Sequence, residues 1–142
     1  MNNLSFHITD IMTNSIRAKA SEIGLFIEER DLRITIRIAD NGLGMDAGTI
    51  ARVTNPFYTT RTTRKVGLGI PFLIQNAEQT GGAVSITSQP GKGTVVTASF
   101  CSNHIDCPPW GDLPGTVAML ITGNPDINIC FEYQAVKTVF SI

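Results

Sequence analysis

An aspartate followed by two spaced glycines is the part of the sequence best suited to bind a ligand. Asp40, Gly42 and Gly44 follow residues 33–38, in which isoleucine alternates with polar residues. This period of two predicts a half-buried strand, with Asp40 just past its end. The glycines let the backbone approach a flat ligand, and the carboxylate can accept a hydrogen bond from an exocyclic amine such as that of adenine. A hairpin turn closed by Asp-Asn-Gly is the alternative interpretation.

A second pair of polar residues lies in the first helix that we predict, over residues 4–20. This stretch has few helix breakers and repeats apolar side chains at helical spacing. Asp10 and Asn14 are four residues apart, so they lie one turn from each other on one side of the helix. Asn14 can offer an amide oxygen to a divalent cation, and Asp10 can orient a water or the hydration shell of that cation. The alternative is that both belong to a solvated helix face.

Hydroxyls and positive charges fill residues 57–65, and a Gly-x-Gly pair follows them. The segment lacks apolar periodicity and predicts a loop, which its three cations would make a lid over a phosphate. Gly67 and Gly69 precede Pro71, and the pattern beyond them predicts a helix whose free first-turn amides suit a phosphate chain. A solvated loop and a turn that binds nothing are the alternatives.

The remaining patterns predict two hairpins, a short helix and a C-terminal segment. Asp46 is the expected N-cap of a helix that ends near Val53. The predicted hairpins pair residues 25–28 with 33–38 and residues 83–88 with 94–100; a linker over 101–115, a helix from Pro114 to about 122 and strands over 128–133 and 136–140 complete the chain. His104, Asp106 and Cys107 lie close together in the linker, but without a second cluster they are poor candidates for metal ligands.

Size and composition predict one globular domain. The 142 residues are 42% hydrophobic and 16% charged, which is enough to bury a core. Eleven basic and twelve acidic side chains nearly cancel, so neither nucleic acid nor a membrane surface is an expected partner. Three cysteines give no disulfide framework, and no apolar run is long enough for a signal core or a membrane span. These features favour a cytoplasmic location.

Taken in order, five motifs resemble a known family. They are Asp10-x3-Asn14, Asp40-x-Gly42-x-Gly44, Asn55-Pro56-Phe57, Gly67-x-Gly69 and Gly91-x-Gly93-Thr94. Over residues 4 to 100 this order is similar to the ATP-binding domain shared by sensor histidine kinases, gyrase-type topoisomerases, heat-shock chaperones and mismatch-repair ATPases. The segments around Phe57 and Leu68 look most like the histidine-kinase branch.

The resemblance implies the Bergerat ATP-binding fold, a two-layer α/β sandwich with a mixed, mostly antiparallel sheet and helices on one face. It implies ATP and Mg²⁺ as cofactors, with Asn14 coordinating the metal and Asp40 binding the adenine amine directly and through a water. It further implies roles for residues that shape the base pocket, support the water network of Asp40 or approach the phosphates. These are Gly42, Gly44 and Thr94 for the base, and Arg17, Phe57, Arg61, Gly67, Leu68 and Gly69 for the rest of the nucleotide.

One departure from the family pattern concerns catalysis. The ATPase branch has a glutamate as general base where this chain has Asp10, which is one methylene shorter. A general base must lie within hydrogen-bond reach of the proton that it takes, so we expect Asp10 to support slow hydrolysis at most without a partner. Few residues precede the first helix, so we expect no phosphoacceptor hairpin, and we expect His7 to be a surface or packing residue.

Two functions are compatible with these residues. The first is a magnesium-ATP-binding, histidine-kinase-like module that transfers the γ-phosphate to a partner protein, by positioning and charge neutralisation. The second is a non-catalytic module, similar to an anti-sigma regulator, in which ATP orders the lid and the lid recruits or releases a partner. We divide the chain into an ATP-binding domain over residues 1–100 and an extension over 101–142 that packs on the same domain.

Overall fold

Four helices and five strands make up residues 3–55 and 69–136, which are the residues that the computed structural model describes. The helices are α1 (Leu4–Arg17), α2 (Ala47–Val53), α3 (Gly69–Gln79) and α4 (Leu113–Gly123). The strands are β1 (Glu22–Arg30), β2 (Arg33–Asp40), β3 (Val84–Gln89), β4 (Gly93–Cys101) and β5 (Asn128–Val136). They form one sheet in the order β3-β4-β2-β1-β5, in which only β1 and β5 pair in parallel.

Alternation along the central strands places the core on one face of this sheet. In β1 and β2 the inward side chains are isoleucines and a leucine, each at most 4% exposed, and Phe100 of β4 is fully buried. Buried side chains of α1, α3 and α4, including Ile8, Leu73 and Val117, join the same cluster. A period of two in the strands and an apolar stripe on each helix therefore produce the expected two-layer α/β sandwich, with its mostly antiparallel sheet.

Helix α1 ends at Arg17, three residues before the end expected from the sequence. The reason is local, because Lys19 takes a left-handed φ of 63°. The backbone amide of Lys19 still donates to the carbonyl of Ile16, which closes the last turn. A non-glycine residue in this conformation cannot continue an α-helix, so the chain turns toward β1. The short helix α2 begins as predicted, with the Asp46 carboxylate accepting from the amide of Thr49 at 2.7 Å.

The first hairpin is longer than the sequence indicated. Strands β1 and β2 pair from Ile23 and Asp40 to Arg30 and Arg33, so the turn consists of Asp31 and Leu32 alone and β1 extends past the predicted residues 25–28. Both turn residues have positive φ, 52° and 62°, as a tight two-residue hairpin turn requires. Asp40 is therefore the last residue of β2 and not the residue after it.

The C-terminal segment contributes to both layers. Strand β5 extends the sheet beside β1, and Leu113, Val117 and Leu120 of α4 enter the core. Asp112 caps α4, with its carboxylate accepting from the amide of Gly115 at 3.1 Å. The first expected closing strand, over 128–133, is part of β5, which continues to Val136. The rest of the second expected strand, over 136–140, lies outside the described residues.

The start of α1 is held by the segment that precedes α4. The backbone amides of Leu4 and Ser5 donate to the carbonyls of Pro109 and Trp110 at 2.8 and 3.1 Å. The first four amides of a helix have no partner within the helix, so these two carbonyls satisfy groups that would otherwise need water or a side chain.

His7 packs in the core, as the sequence allowed, and it is 1% exposed. Its ring lies near those of Phe6, Phe72 and Phe100, and its Nε2 accepts a hydrogen bond from the amide nitrogen of Asn76 at 2.8 Å. Its Nδ1 finds no hydrogen-bond partner within residues 3–55 and 69–136. Burial therefore lowers the pKa of His7 to about 4, because the apolar surroundings disfavour the charged ring.

This lowered pKa predicts that acid destabilises the fold. The unfolded chain binds a proton at His7 near pH 6.5 and the folded chain only near pH 4, so the stabilisation is complete above about pH 6.5 and is lost as the pH falls toward 4. We expect the free energy of unfolding in urea to decrease by about 2 kcal/mol between about pH 7 and pH 5. His7→Gln should remove that part of the pH dependence, whereas His104→Gln should keep it. An unchanged pH profile in His7→Gln would contradict the assignment.

Candidate functional site

A cavity of about 270 Å³ opens between α1, the end of β2, α2 and the start of α3. Its walls are mostly apolar and include Ile11, Met45, Val53, Ile70 and Val96. Its polar lining comes from a few side chains on α1, β2, α2 and β4, namely Asn14, Ser15, Arg17, Asp40, Thr49 and Thr94. A mostly apolar cavity with a few convergent polar groups is the usual form of a small-molecule site.

The carboxylate of Asp40 is fixed from two sides. The Ser15 hydroxyl donates to Oδ2 at 2.6 Å, and the backbone amide of Gly42 donates to Oδ1 at 2.9 Å. Ser15 is 3% exposed, while Asp40 is half-buried and lines the cavity. Each carboxylate oxygen can accept more than one hydrogen bond. The group is therefore held in one position and can still accept a hydrogen bond from a ligand in the cavity.

Two glycines bring the loop after β2 close to its neighbours. A Cβ at Gly42 would lie 2.7 Å from the carbonyl oxygen of Ala18. That oxygen already accepts a hydrogen bond from the amide of Leu43 at 2.8 Å. Gly44 has a φ of 73°, and a Cβ there would overlap the carbonyl of Gln89. Any larger side chain would thus move the loop that forms the wall beside Asp40.

Thr94 lies across from Asp40, since the two residues are partners in the pairing of β2 with β4. Its hydroxyl lies 2.8 Å from that of Ser88, which donates to the carbonyl of Gly93 at 2.9 Å. The amide of Met45 in turn donates to the Ser88 oxygen at 2.7 Å. This hydroxyl pair connects the second hairpin to the loop after Asp40 and holds both against the cavity.

The α1 residues predicted from the sequence take different positions. Asn14 and Arg17 line the cavity, Asn14 half-buried and Arg17 exposed. Asp10 lies one turn earlier against the start of α3, because a Cβ on Gly69 would come within 3.1 Å of its Oδ2. Asp10 is therefore beside the end of the site where the sequence places the phosphates, and not in the wall around Asp40.

Several residues expected to bind the nucleotide lie outside the described residues. They are Phe57, Arg61, Gly67 and Leu68, together with the expected lid. Their roles stay predictions from the sequence.

Sequence reasoning missed Ser15 and Ser88. Ser15 has the spacing of the apolar face of α1, where a small polar residue is compatible with a core-facing stripe. The signal that could have identified it is its position immediately after Asn14, on a buried face where a hydroxyl needs a partner. Ser88 gave no signal of this kind, since a serine near the end of a strand is common.

We expect Ser15→Ala to weaken ligand binding at Asp40 without unfolding the protein. The substitution removes a hydrogen bond to a charged acceptor, so one carboxylate oxygen is free to turn away from the cavity. The affinity should fall by about 1.5 kcal/mol, measured as a dissociation constant by calorimetry. Thr9→Ala is the matched control, because it removes a hydroxyl that donates to the Ser5 carbonyl of the same helix. Equal affinity for Ser15→Ala and wild type would show that Ser15 does not position Asp40.

The linker residues His104, Asp106 and Cys107 form a local turn. The amide of Asp106 donates to Nδ1 of His104 at 3.0 Å, and burial raises the pKa of the Cys107 thiol. Within the described ranges, no three His, Cys, Asp or Glu side chains are placed to hold a metal ion together. None of the helices in these ranges is long and apolar enough to cross a membrane.

Comparison with known proteins decides the family. Residues 3–103 match the family model described as histidine kinase-, DNA gyrase B-, and HSP90-like ATPase. The chain belongs to this ATPase family. The match covers α1, the first hairpin, α2, α3 and the second hairpin, which are the elements that build the cavity around Asp40. Membership implies an ATP-binding, kinase-like module, and the five-stranded sheet with its helical layer is consistent with the Bergerat ATPase fold.

Several relatives are bacterial kinases. The chain is 30% identical over 106 residues to sensor histidine kinase YxdK of Bacillus subtilis (strain 168), which covers 68% of this chain and 32% of that protein. It is 35% identical over 93 residues to sensor protein kinase FleS of Pseudomonas aeruginosa, covering 63% and 23%. Sporulation kinase E of Bacillus subtilis is 31% identical over 97 residues, covering 66% and 13%. The chain thus spans about a third or less of these relatives.

Proposed function

We propose that this chain binds Mg-ATP with the adenine at Asp40 and transfers the γ-phosphate to a residue on a partner protein. The observation that carries the proposal is the Asp40 carboxylate, held by Ser15 and Gly42 at the edge of an apolar cavity. A fixed acceptor beside apolar walls suits a flat base that carries an amine, because the base buries its faces while the amine donates to the carboxylate.

The residues at the cavity fit a magnesium ion bound mainly by phosphate and water. Mg²⁺ usually keeps several waters and takes only one or two protein ligands at nucleotide sites. Asn14 lines the cavity and would supply one amide oxygen to the ion. When bound, the ion would neutralise charge on the transferred phosphoryl group. Arg17, on the same wall one turn further along α1, would add positive charge near the phosphates.

Asp10 is the proposed catalytic residue. It lies against Gly69, at the start of α3, where the free first-turn amides of the helix would meet the phosphate chain. Its short side chain favours the orientation of a water or a hydroxyl over efficient proton abstraction. We therefore propose that phosphate transfer to a partner exceeds hydrolysis by this chain alone.

A non-catalytic, ATP-gated interaction module is the second candidate. The observation that favours it is the C-terminal segment, which lies largely outside the family match yet supplies β5 and α4 to the two layers. That segment adds surface next to α1, the helix that carries Asn14. In this version ATP binding changes what the surface can bind, and the phosphate is not transferred.

Calorimetric titration with ATP, with and without Mg²⁺, tests the binding that both candidates require, and GTP is the control for recognition of the amine. Incubation with γ-labelled ATP, alone and with proteins encoded by neighbouring genes, then separates the candidates. Label on a partner protein supports the kinase. Tight ATP binding with neither transfer nor hydrolysis supports the interaction module, and no binding of ATP rejects both.

The role of Asn14 has its own expected result. Asn14→Ala removes the amide oxygen from the cavity wall, so added Mg²⁺ should improve ATP affinity much less than in the wild type. The gain in affinity on adding Mg²⁺ should be roughly tenfold smaller in the variant. Affinity for ATP without metal should change little, because Asp40 is held by Ser15 and Gly42 and not by Asn14. A metal titration identical to that of wild type would contradict the assignment.

Other expectations from the sequence stay proposals. They are the division at residue 100, a location in the cytoplasm, and partners that include proteins but neither nucleic acid nor membranes. Cys101, Cys107 and Cys130 are free thiols, which is compatible with a reducing compartment.

A further inference from the structure

The helical layer covers the sheet unevenly at the β5 edge. Leu25 and Ile27 of β1 are at most 2% exposed, but their parallel partners in β5, Phe131 and Tyr133, are 37% and 45% exposed. All four side chains are on the helix side of the sheet, because they alternate with residues of the opposite face. Within residues 3–55 and 69–136, the helices therefore stop short of the last strand and leave a partly exposed aromatic ledge formed by Phe131 and Tyr133. The Tyr133 ring also contacts Trp110, and its hydroxyl donates to Glu29.

Strand β5 is also the outer strand of the sheet that the described residues form. Its nine residues pair with β1 on one side. The groups on its other side are of the kind that an extended peptide uses when it adds a strand to a sheet. The ledge and this edge together offer main-chain hydrogen bonds and an apolar surface along the same strand.

The charged side chains of β5 and of the turn before it are acidic, whereas the basic Arg30 and Arg37 of the neighbouring strands lie against Glu28 and over the Phe26 ring. Between Lys92 and Lys137 the sequence has no lysine or arginine, but it has four carboxylates, Asp106, Asp112, Asp126 and Glu132. Glu132 is exposed on the open face of β5, opposite the ledge, and Asp126 is exposed just before the strand begins. A partner for this surface should therefore be positively charged on that face.

The open face beside β5 has room for a long side chain. Gly24 of β1 pairs with Cys130 of β5, and a hollow of about 330 Å³ lies there. Glu22, Asn41 and Asn128 line it with a carboxylate and two amides. A lysine or arginine that reaches over β5 from an added strand would place its charge next to Glu22 and Glu132.

We infer that β5 is a docking edge for an extended, basic segment of a partner protein. The segment adds a strand beside β5, its apolar side chains cover Phe131 and Tyr133, and its alternating lysines or arginines lie on the open face near Glu132. Asp40 also borders the hollow beside β5, but the inference does not depend on the proposed function.

The test uses the full chain and a labelled peptide that alternates leucine with lysine. We expect saturable binding by fluorescence anisotropy and slower hydrogen exchange at β5 amides when the peptide is present. Glu132→Lys should weaken binding roughly tenfold, because it replaces attraction by repulsion on the open face. Glu78→Lys is the matched control, since Glu78 is an exposed residue of α3 and the substitution changes the net charge equally. Its affinity should stay within about twofold of wild type.

Three results would overturn the inference. Equal binding of a peptide that alternates leucine with glutamate would show that the surface binds apolar peptides without preference for charge. Glu132→Lys and Glu78→Lys would weaken binding equally if only net charge mattered. Amides along the outer side of β5 that are already protected in the free protein would show that residues 137–142 or a second copy of the chain take this edge.

Discussion

Asp40→Asn is expected to weaken ATP binding by on the order of 1.5 to 3 kcal/mol, the range for a hydrogen bond to a charged group. The substitution removes the charge and leaves the shape of the side chain almost unchanged. It also disturbs the support, since Ser15 and Gly42 each donate to one carboxylate oxygen. An asparagine can accept only one of these hydrogen bonds through its oxygen, and its amino group would face the other donor. The measurement is the dissociation constant for ATP by calorimetry.

Asp126→Asn is the control for the change in net charge, because Asp126 is exposed in the connection before β5. It should bind ATP as the wild type does. Asp40→Asn should also lower the free energy of unfolding, because one supporting hydrogen bond is lost, but it should remain folded under the conditions of the titration. Unchanged affinity in Asp40→Asn would refute the placement of the adenine amine at this carboxylate.

Gly93→Ala is expected to lower the free energy of unfolding by on the order of 3 kcal/mol, which is large for one methyl group. Gly93 begins β4 with a φ of 104°, which side chains rarely adopt, and a Cβ there would overlap the carbonyl of Asp40. The backbone at the end of β2 must then shift, so ATP affinity should decrease together with stability. Urea unfolding and calorimetry measure the two effects.

Gly91→Ala is the matched variant in the same turn. Gly91 also has a positive φ, 78°, but a Cβ there meets no atom within 4 Å. It should therefore cost only about 1 kcal/mol, the usual penalty for a left-handed alanine, and should leave ATP binding intact. If both variants were equally unstable, the contact with Asp40 would not be the cause.

The sequence predicted the elements well where a single pattern determines them. The isoleucine alternation of residues 33–38 gave β2, and Asp46 gave the start of α2. It failed where a local conformation overrides the pattern, as at Lys19, whose left-handed backbone ends α1 early. The end of β1 at the turn was also predicted too early, because the tight turn at Asp31 and Leu32 contains no glycine to indicate it.

For the site, the sequence identified the motif residues but not the hydrogen bonds that hold them in position. Asp40, Asn14, Arg17, Gly44 and Thr94 all line one cavity, although their functional roles stay predictions. The hydrogen bond from Ser15 to Asp40 joins residues 25 positions apart on different elements. No spacing rule encodes such a contact, because it depends on how α1 packs over the sheet.

The two carbonyls that receive the first amides of α1 have a consequence for how much chain the ATPase fold needs. Pro109 and Trp110 come after residue 103, where the family match ends. A chain that ends at residue 103 would lack the two carbonyls that accept from the amides of Leu4 and Ser5. It would also expose the part of the core against which Leu113, Val117 and Leu120 pack. We therefore expect a chain that ends at residue 103 to be less stable than the whole chain, because groups that complete the start of α1 and the core lie beyond the homologous region.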